Sequence, residues 1–185
     1  MIYHNNILLK NGQACKIRNA EGSDAQEVLD NYKLTHGQTD FLSSYADEKF
    51  VTAEQEKEYL SLKKENPRAA FLVAEINNRI IGTAMIDCIR DAEKIRHRCT
   101  FGVSIERAWW GNGVGRALTQ ACIDCAQAAG YGQMELAVVS ENARAISLYE
   151  SVGFIEYGRN PKAFRLRDGS WQENILMLLD LDRES

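Results

Sequence analysis

Apolar residues recur at two spacings along the chain, and the change from one to the other marks out its elements. Residues 7–9 and 14–18 read as short extended pieces. Ser23 and Gln26 form a capping-box pattern ahead of Ala25, Val28, Leu29 and Tyr32, which share one helical face. Residues 37–50 show no period. Thr52 and Gln55 repeat the cap signal before a charged helix that stops near Asn66-Pro67, and its thin apolar stripe, Tyr59 and Leu60, predicts a surface position. Strand spacing then takes over. Residues 70–76 and 80–89 flank Asn77-Asn78, a hairpin signal, and 98–105 form a third strand. Val114, Ala117, Leu118, Ala121 and Cys125 return to helical spacing up to residue 129, where Gly130 ends the run. A short strand at 134–139 leads to Asn142 as the cap of a helix over 143–152. Strands at 154–157 and 175–181 follow, joined by a polar bend around Asp168-Gly169. Helices first, then antiparallel strands, then strand–helix–strand–helix–strand, predict an α/β (α+β) single domain over 1–185 with a mixed sheet.

Composition narrows the partners. The 22 basic and 26 acidic residues leave a formal charge of −4, which gives no electrostatic case for nucleic acid. No apolar run reaches membrane-spanning length, and the opening residues do not read as a signal peptide, so the expectation is a cytoplasmic protein with no membrane partner. The five cysteines form an odd set suited to reduced, buried thiols. Cys122 and Cys125 have C-x-x-C spacing, but inside a predicted helix rather than at its start, where thiolate would be stabilised. His4, His36 and His97 stand too far apart to complete a zinc set, so no metal is expected.

The stretch WWGNGVGRAL, residues 109–118, places Gly111, Gly113 and Gly115 at a strand-to-helix corner. Bare backbone lets a ligand approach closely. The first N–H groups of the helix lack intrahelical acceptors and, with the dipole, suit a phosphate or pyrophosphate. Arg116 adds a positive charge. The same glycines could instead make only a tight turn, with Arg116 in water. Neither a P-loop Lys-Ser/Thr pair nor a G-x-G-x-x-G arrangement is present.

A second constellation, VSENARAISLYESVGF at 139–154, runs from strand to Asn142 to a short helix carrying Ala145, Leu148 and Tyr149, then Gly153-Phe154. Together with 103–118 it resembles the Gcn5-related N-acetyltransferase (GNAT) superfamily, over roughly residues 70–157. The resemblance implies a central mixed, mostly antiparallel sheet flanked by helices and splayed between its fourth and fifth core strands, 98–105 and 134–139. It implies an acyl-CoA-binding core at 70–157, acceptor-side strands and helices at 1–69, and C-terminal strands at 158–185. Acetyl-CoA would be the cosubstrate. Its pantetheine would bond to backbone groups of Val103 and Ile105. Its pyrophosphate would sit on the amides of Gly111, Asn112, Gly113, Val114 and Gly115, with the positive charge of Arg116 nearby and Asn142 holding the cofactor side. A backbone N–H at Val103 would stabilise the oxyanion, and Tyr149 would serve as general acid to the departing thiolate.

The base is the departure from the family's pattern. Where many members carry glutamate, this chain has Thr100, which cannot remove a proton. The candidates are His97, Glu106, Glu75, Asp87 and Glu141, or a water route. Arg107 and Trp110 also depart from common residues, and Trp109 and Trp110 read as a core edge, a wall of the cofactor groove or part of a dimer contact, with buried aromatic packing the default. The acceptor, a small-molecule or peptide amine, would meet residues 35–49, with Asp40, Asp47 and Glu48 beside Phe41 and Tyr45. Arg159, Lys162, Arg165 and Arg167 in the late bend would favour an acidic acceptor instead. The expectation is an acetyl-CoA-dependent N-acetyltransferase using direct attack in a ternary complex. The rival is an acyl-CoA-binding or regulatory module without turnover. A homodimer is compatible with either.

Overall fold

A computed structural model describes residues 2–182, so the expected outer boundaries at 1 and 185 lie outside the described residues. Its elements are β1 (His4–Leu8), β2 (Ala14–Asn19), α1 (Ala25–His36), α2 (Ala53–Glu65), β3 (Ala70–Ile76), β4 (Arg79–Cys88), β5 (Arg98–Ile105), α3 (Val114–Ala128), β6 (Gln133–Val139), α4 (Ala143–Ser151), β7 (Ile155–Arg165) and β8 (Trp171–Asp180). The eight strands form one sheet in the order β1-β2-β3-β4-β5-β6-β8-β7, and only the β5–β6 pair is parallel. This is the mixed, mostly antiparallel sheet that the strand spacing and the resemblance predicted.

Local chemistry explains most boundaries. Thr52 and Gln55 close a reciprocal capping box at α2. Asn77 and Asn78, with φ of 52° and 60°, make the left-handed pair that a two-residue hairpin needs. Ser23 and Gln26 do not form the other expected box. Glu21 and Asp24 do, two residues earlier, at a 3-10 turn that runs into α1. The strands at 154–157 and 175–181 are both longer than expected. Polar residues after 157 continue β7 because it is an edge strand, largely exposed, and needs no apolar alternation there.

Helix α3 buries Val114, Leu118, Ala121, Cys122 and Cys125 against one face of the sheet, where Ala84, Ile86, Cys99 and Phe101 meet them. On the opposite face Val28 of α1 and Leu60 of α2 pack on Val73 and Ile80. Helix α2 therefore lies on the surface but is anchored by Leu60, 1% exposed.

The feature that makes the site lies between β5 and β6. Their pairing covers Arg98↔Gln133, Cys99↔Met134 and Thr100↔Glu135, and then stops. Beyond it the strands part. Arg98 clasps Glu135 through two guanidinium hydrogen bonds at the closed end.

Candidate functional site

A cleft of about 920 Å³ opens where β5 and β6 separate. In the antiparallel β4–β5 ladder the Ile89–Arg98 and Ile81–Glu106 pairs are hydrogen-bonded at either end. Bonded pairs alternate, so Thr100, Gly102 and Ser104 turn their peptide groups to β4, while Val103 and Ile105 turn theirs toward the gap. The Ile105 carbonyl accepts the Trp110 indole N–H at 2.8 Å. The backbone edge expected to meet pantetheine thus faces an opening rather than a neighbouring strand.

At the glycine corner, Gly111 and Gly113 have φ of 80° and 99°, and a Cβ on either would meet nothing within 4 Å. The space above the turn is open. Gly113 is the N-cap of α3 and offers no side-chain acceptor, so the leading amides of the helix stay uncapped. Gly115 differs: a Cβ there would approach Leu148 at 3.2 Å, so it permits close packing of α3 against α4. Arg116 lines the cleft and donates to Ser151 at 2.6 Å. At two of the corner positions only the backbone amide is left to meet a ligand, as the resemblance implied. The Val114 side chain is fully buried in the core, and the Asn112 side chain folds back on the Trp110 carbonyl, so neither side chain lines the cleft. Asn112 also joins the corner to the β1–β2 turn, its carbonyl accepting from Lys10 N–H at 3.1 Å. Lys10 and Arg144 line the cleft beside Arg116, and neither was singled out from sequence.

Trp109 and Trp110 are half-buried cleft walls, one of the expected readings, and the guanidinium groups of Arg107 and Arg144 stand 5.9 and 5.4 Å from the Trp110 ring centroid. Asn142 caps α4 through Oδ1 to Ala145 N–H at 3.3 Å and lines the cleft. About two turns on, the helix carries Leu148 and Tyr149 to the same opening. The Tyr149 ring packs edge-on to Phe101, with centroids 6.0 Å apart, and against Phe154. Burial pushes its phenol up to about 12. Its hydroxyl has no hydrogen-bond partner among the described residues.

Most base candidates lie elsewhere. His97 is exposed in the turn before β5, at the closed end of the gap, and does not line the cleft. Glu106 is buried, but its carboxylate pairs with Arg79 and accepts from Asn31 at 3.3 Å, away from the opening. Glu75 is held by Arg18 and Asp87 by Lys63. Of the five named groups, only Glu141 lines the cleft. Cys99 is fully buried, and burial pushes its thiol up to about 12, so it stays protonated and is no nucleophile.

One ion pair joins the two charged segments proposed for the acceptor. Arg167 pairs with Asp47, stacks 4.0 Å from the Tyr45 ring centroid, and donates its backbone N–H to the Tyr45 hydroxyl. Arg159 is bound by Glu156 and Glu173, and Glu48 accepts from Tyr45 N–H. Neither set lines the cleft. What does face it from the loop between α1 and α2 is Thr39, Phe41, Leu42 and Ser43, with Met85, Phe164 and Asn174 opposite.

Comparison with known proteins gives one consistent answer. Residues 38–154 match the model of the acetyltransferase (GNAT) family. A Salmonella typhimurium L-methionine sulfoximine/L-methionine sulfone acetyltransferase is 31% identical over 114 residues, 62% of this chain and 66% of that protein's length. The crystal structure of a GNAT-family acetyltransferase from Streptococcus pneumoniae superposes with a TM-score of 0.84 at 27% identity, covering 89% of this chain and 97% of that one. A Salmonella typhimurium structure determined with its cofactor acetyl-CoA gives a TM-score of 0.80 at 24% identity, covering 92% and 96%.

Proposed function

Because the chain belongs to the acetyltransferase (GNAT) family, we propose that it moves the acetyl group of acetyl-CoA to the primary amine of a small molecule or peptide, by direct attack in a ternary complex. The observation that carries this reading is the meeting, in one cleft, of an outward-facing backbone edge, an uncapped helix entrance and a buried neutral phenol.

Acetyl-CoA supplies an activated acyl carbon that the amine attacks without a covalent enzyme intermediate. The chain's own residues orient and polarise it. Amides from Gly111 to Gly115 hold the pyrophosphate, with the α3 dipole behind them and Arg116 alongside. The Ile105 and Val103 peptide groups bind the pantetheine arm, and the Val103 N–H donates to the carbonyl oxygen as charge develops there, without reorganising. Asn142 steadies the cofactor side of the opening. Tyr149 presents an O–H to the sulfur as the C–S bond breaks. The amine loses its proton to water or to Glu141, since Thr100 cannot accept it, His97 lies outside the cleft, and Glu75, Asp87 and Glu106 are ion-paired.

The rival reading is acyl-CoA binding without turnover. It is favoured by the missing carboxylate at Thr100 and opposed by the unpartnered Tyr149 hydroxyl. Free-thiol release from acetyl-CoA, followed against a panel of amino acids, polyamines and peptides, separates the two. Thiol release that depends on an amine supports transfer. Measurable CoA binding with no release for any amine class replaces it with the rival.

A further inference from the structure

The acceptor half of the cleft carries a polar group with no partner. Asn174 on β8 is 5% exposed, lines the cleft, and its Oδ1 has no hydrogen-bond partner among the described residues. Gln172, two residues earlier on the same face, has an unpartnered, buried Oε1 as well. Register fixes the direction of Asn174. It stands opposite Val139, while its neighbour Ile175 stands opposite Val138 and joins the core beneath α3 and α4. Alternation therefore turns Asn174 to the other face of the sheet. Tyr149 reaches the gap from the α4 side and Asn174 from the side of the loop between α1 and α2. A buried amide without a partner is costly, and a ligand group that satisfies it binds selectively.

The charges around it are equally informative. All the charged residues lining the cleft are Lys10, Arg116, Glu141 and Arg144, which sit at the glycine corner or the start of α4. The opposite wall, Thr39, Phe41, Leu42, Ser43, Met85 and Phe164, is apolar or neutral.

On the acyl-transfer reading above, we propose that Asn174 binds the acceptor and that the acceptor is an α-amino acid, or an amino-terminal residue, with an uncharged side chain. An asparagine offers one acceptor and one donor within a single planar group, and χ2 rotation presents either end. Oδ1 accepts from the attacking amine, which aims its lone pair at the acyl carbon. Nδ2 donates to the oxygen of the adjacent carboxyl or carbonyl. The uncharged wall receives the side chain, and neither a second ammonium nor a second carboxylate finds a partner there.

The test compares L-methionine and L-glutamine with L-lysine and L-glutamate as acceptors for the full chain. The neutral pair is expected to exceed the charged pair by about tenfold or more in kcat/KM. Asn174→Leu should raise the KM for L-methionine about tenfold while CoA affinity stays unchanged. Asn174→Asp keeps the accepting oxygen but loses the donor, so it should lose L-methionine yet retain L-methioninamide. Preference for L-lysine or L-glutamate, or an unchanged KM in Asn174→Leu with CoA binding intact, overturns the proposal. The selectivity of the unaltered protein needs no variant, so a poorly folded substitution does not block the test. If the unaltered protein releases no thiol, calorimetric titration of the four amino acids into its CoA complex decides. Selective binding of the neutral pair sustains the acceptor assignment while the transfer reading falls, and binding without selectivity removes the assignment.

Discussion

At Tyr149, burial has two consequences. It lifts the phenol to about 12, so the side chain stays neutral across any working pH. It also widens the gap to a thiol of about 8.5, so full proton transfer to a free thiolate is uphill. Tyr149 therefore acts best by donating its O–H while the sulfur is still gaining charge. Tyr149→Phe is expected to lower turnover roughly 10²-fold with CoA affinity unchanged, read by thiol release and by calorimetry. In the unaltered protein, kcat/KM should rise with pH as the amine deprotonates, with no loss near 10 from the phenol. A fall in the profile there would remove the raised value and its consequence. Gly113 tests the other end of the cleft. Its φ of 99° disfavours any Cβ, and the space above it is open. Gly113→Val should cost about 1–2 kcal/mol of stability and weaken CoA binding about tenfold, because the new side chain enters the phosphate seat. Unaltered affinity would place the phosphates elsewhere.

Among the elements, β5 and β6 matter most, because they pair at one end and part at the other. Three residue pairs and the Arg98–Glu135 fork hold the closed end. The Arg98 hydrogen bond is the main reason the Glu135 carboxyl sits below its usual 4.5, with burial opposing it. A depressed carboxyl contributes fully above 4.5, and its contribution is lost as pH falls through the lowered value. Glu135→Ala is expected to lose about 1–3 kcal/mol in urea unfolding at neutral pH. Below pH 4.5 the unaltered protein should lose stability faster than the variant, so the two curves converge. Parallel curves would mean that the fork does not stabilise the closed end. The loop between α1 and α2 has its own ties: Lys49 to the buried Glu56 at 2.8 Å, Tyr32 to Ser44 at 2.7 Å, and Tyr45 to the β7–β8 turn. These ties anchor the loop that carries Phe41 and Leu42 along the cleft.

Across the whole molecule, burial of thiols sets the alkaline limit. Burial raises Cys15 and Cys125 to about 11 and Cys99 to about 12 from an ordinary 9, and Cys122 is raised too. Below 9 the folded and unfolded chains both hold these protons. Above it the unfolded chain sheds them while the folded chain keeps them, so stability falls as pH rises through that window. Urea midpoints should drop steadily above pH 9, and Cys99→Ala should flatten the slope. A flat profile would mean that the thiols are not protected. The same cysteines were expected from sequence to be reduced and buried, and all five are free, with four buried. Much else was legible in the chain because it depends on neighbours within a few residues. The Thr52 cap, the Asn77-Asn78 hairpin, the bounds of 98–105, the glycine corner and the Asn142 cap each follow from local hydrogen bonding and period. The fate of charges was not legible, because a carboxylate's partner is chosen by packing. Glu106 meets Arg79, Asp47 meets Arg167 across 120 positions, and Asn174 is left facing an opening made by strands far earlier in the chain, β5 and β6. Period and capping need only a turn of chain, whereas the sign and reach of a binding wall need the sheet closed around it.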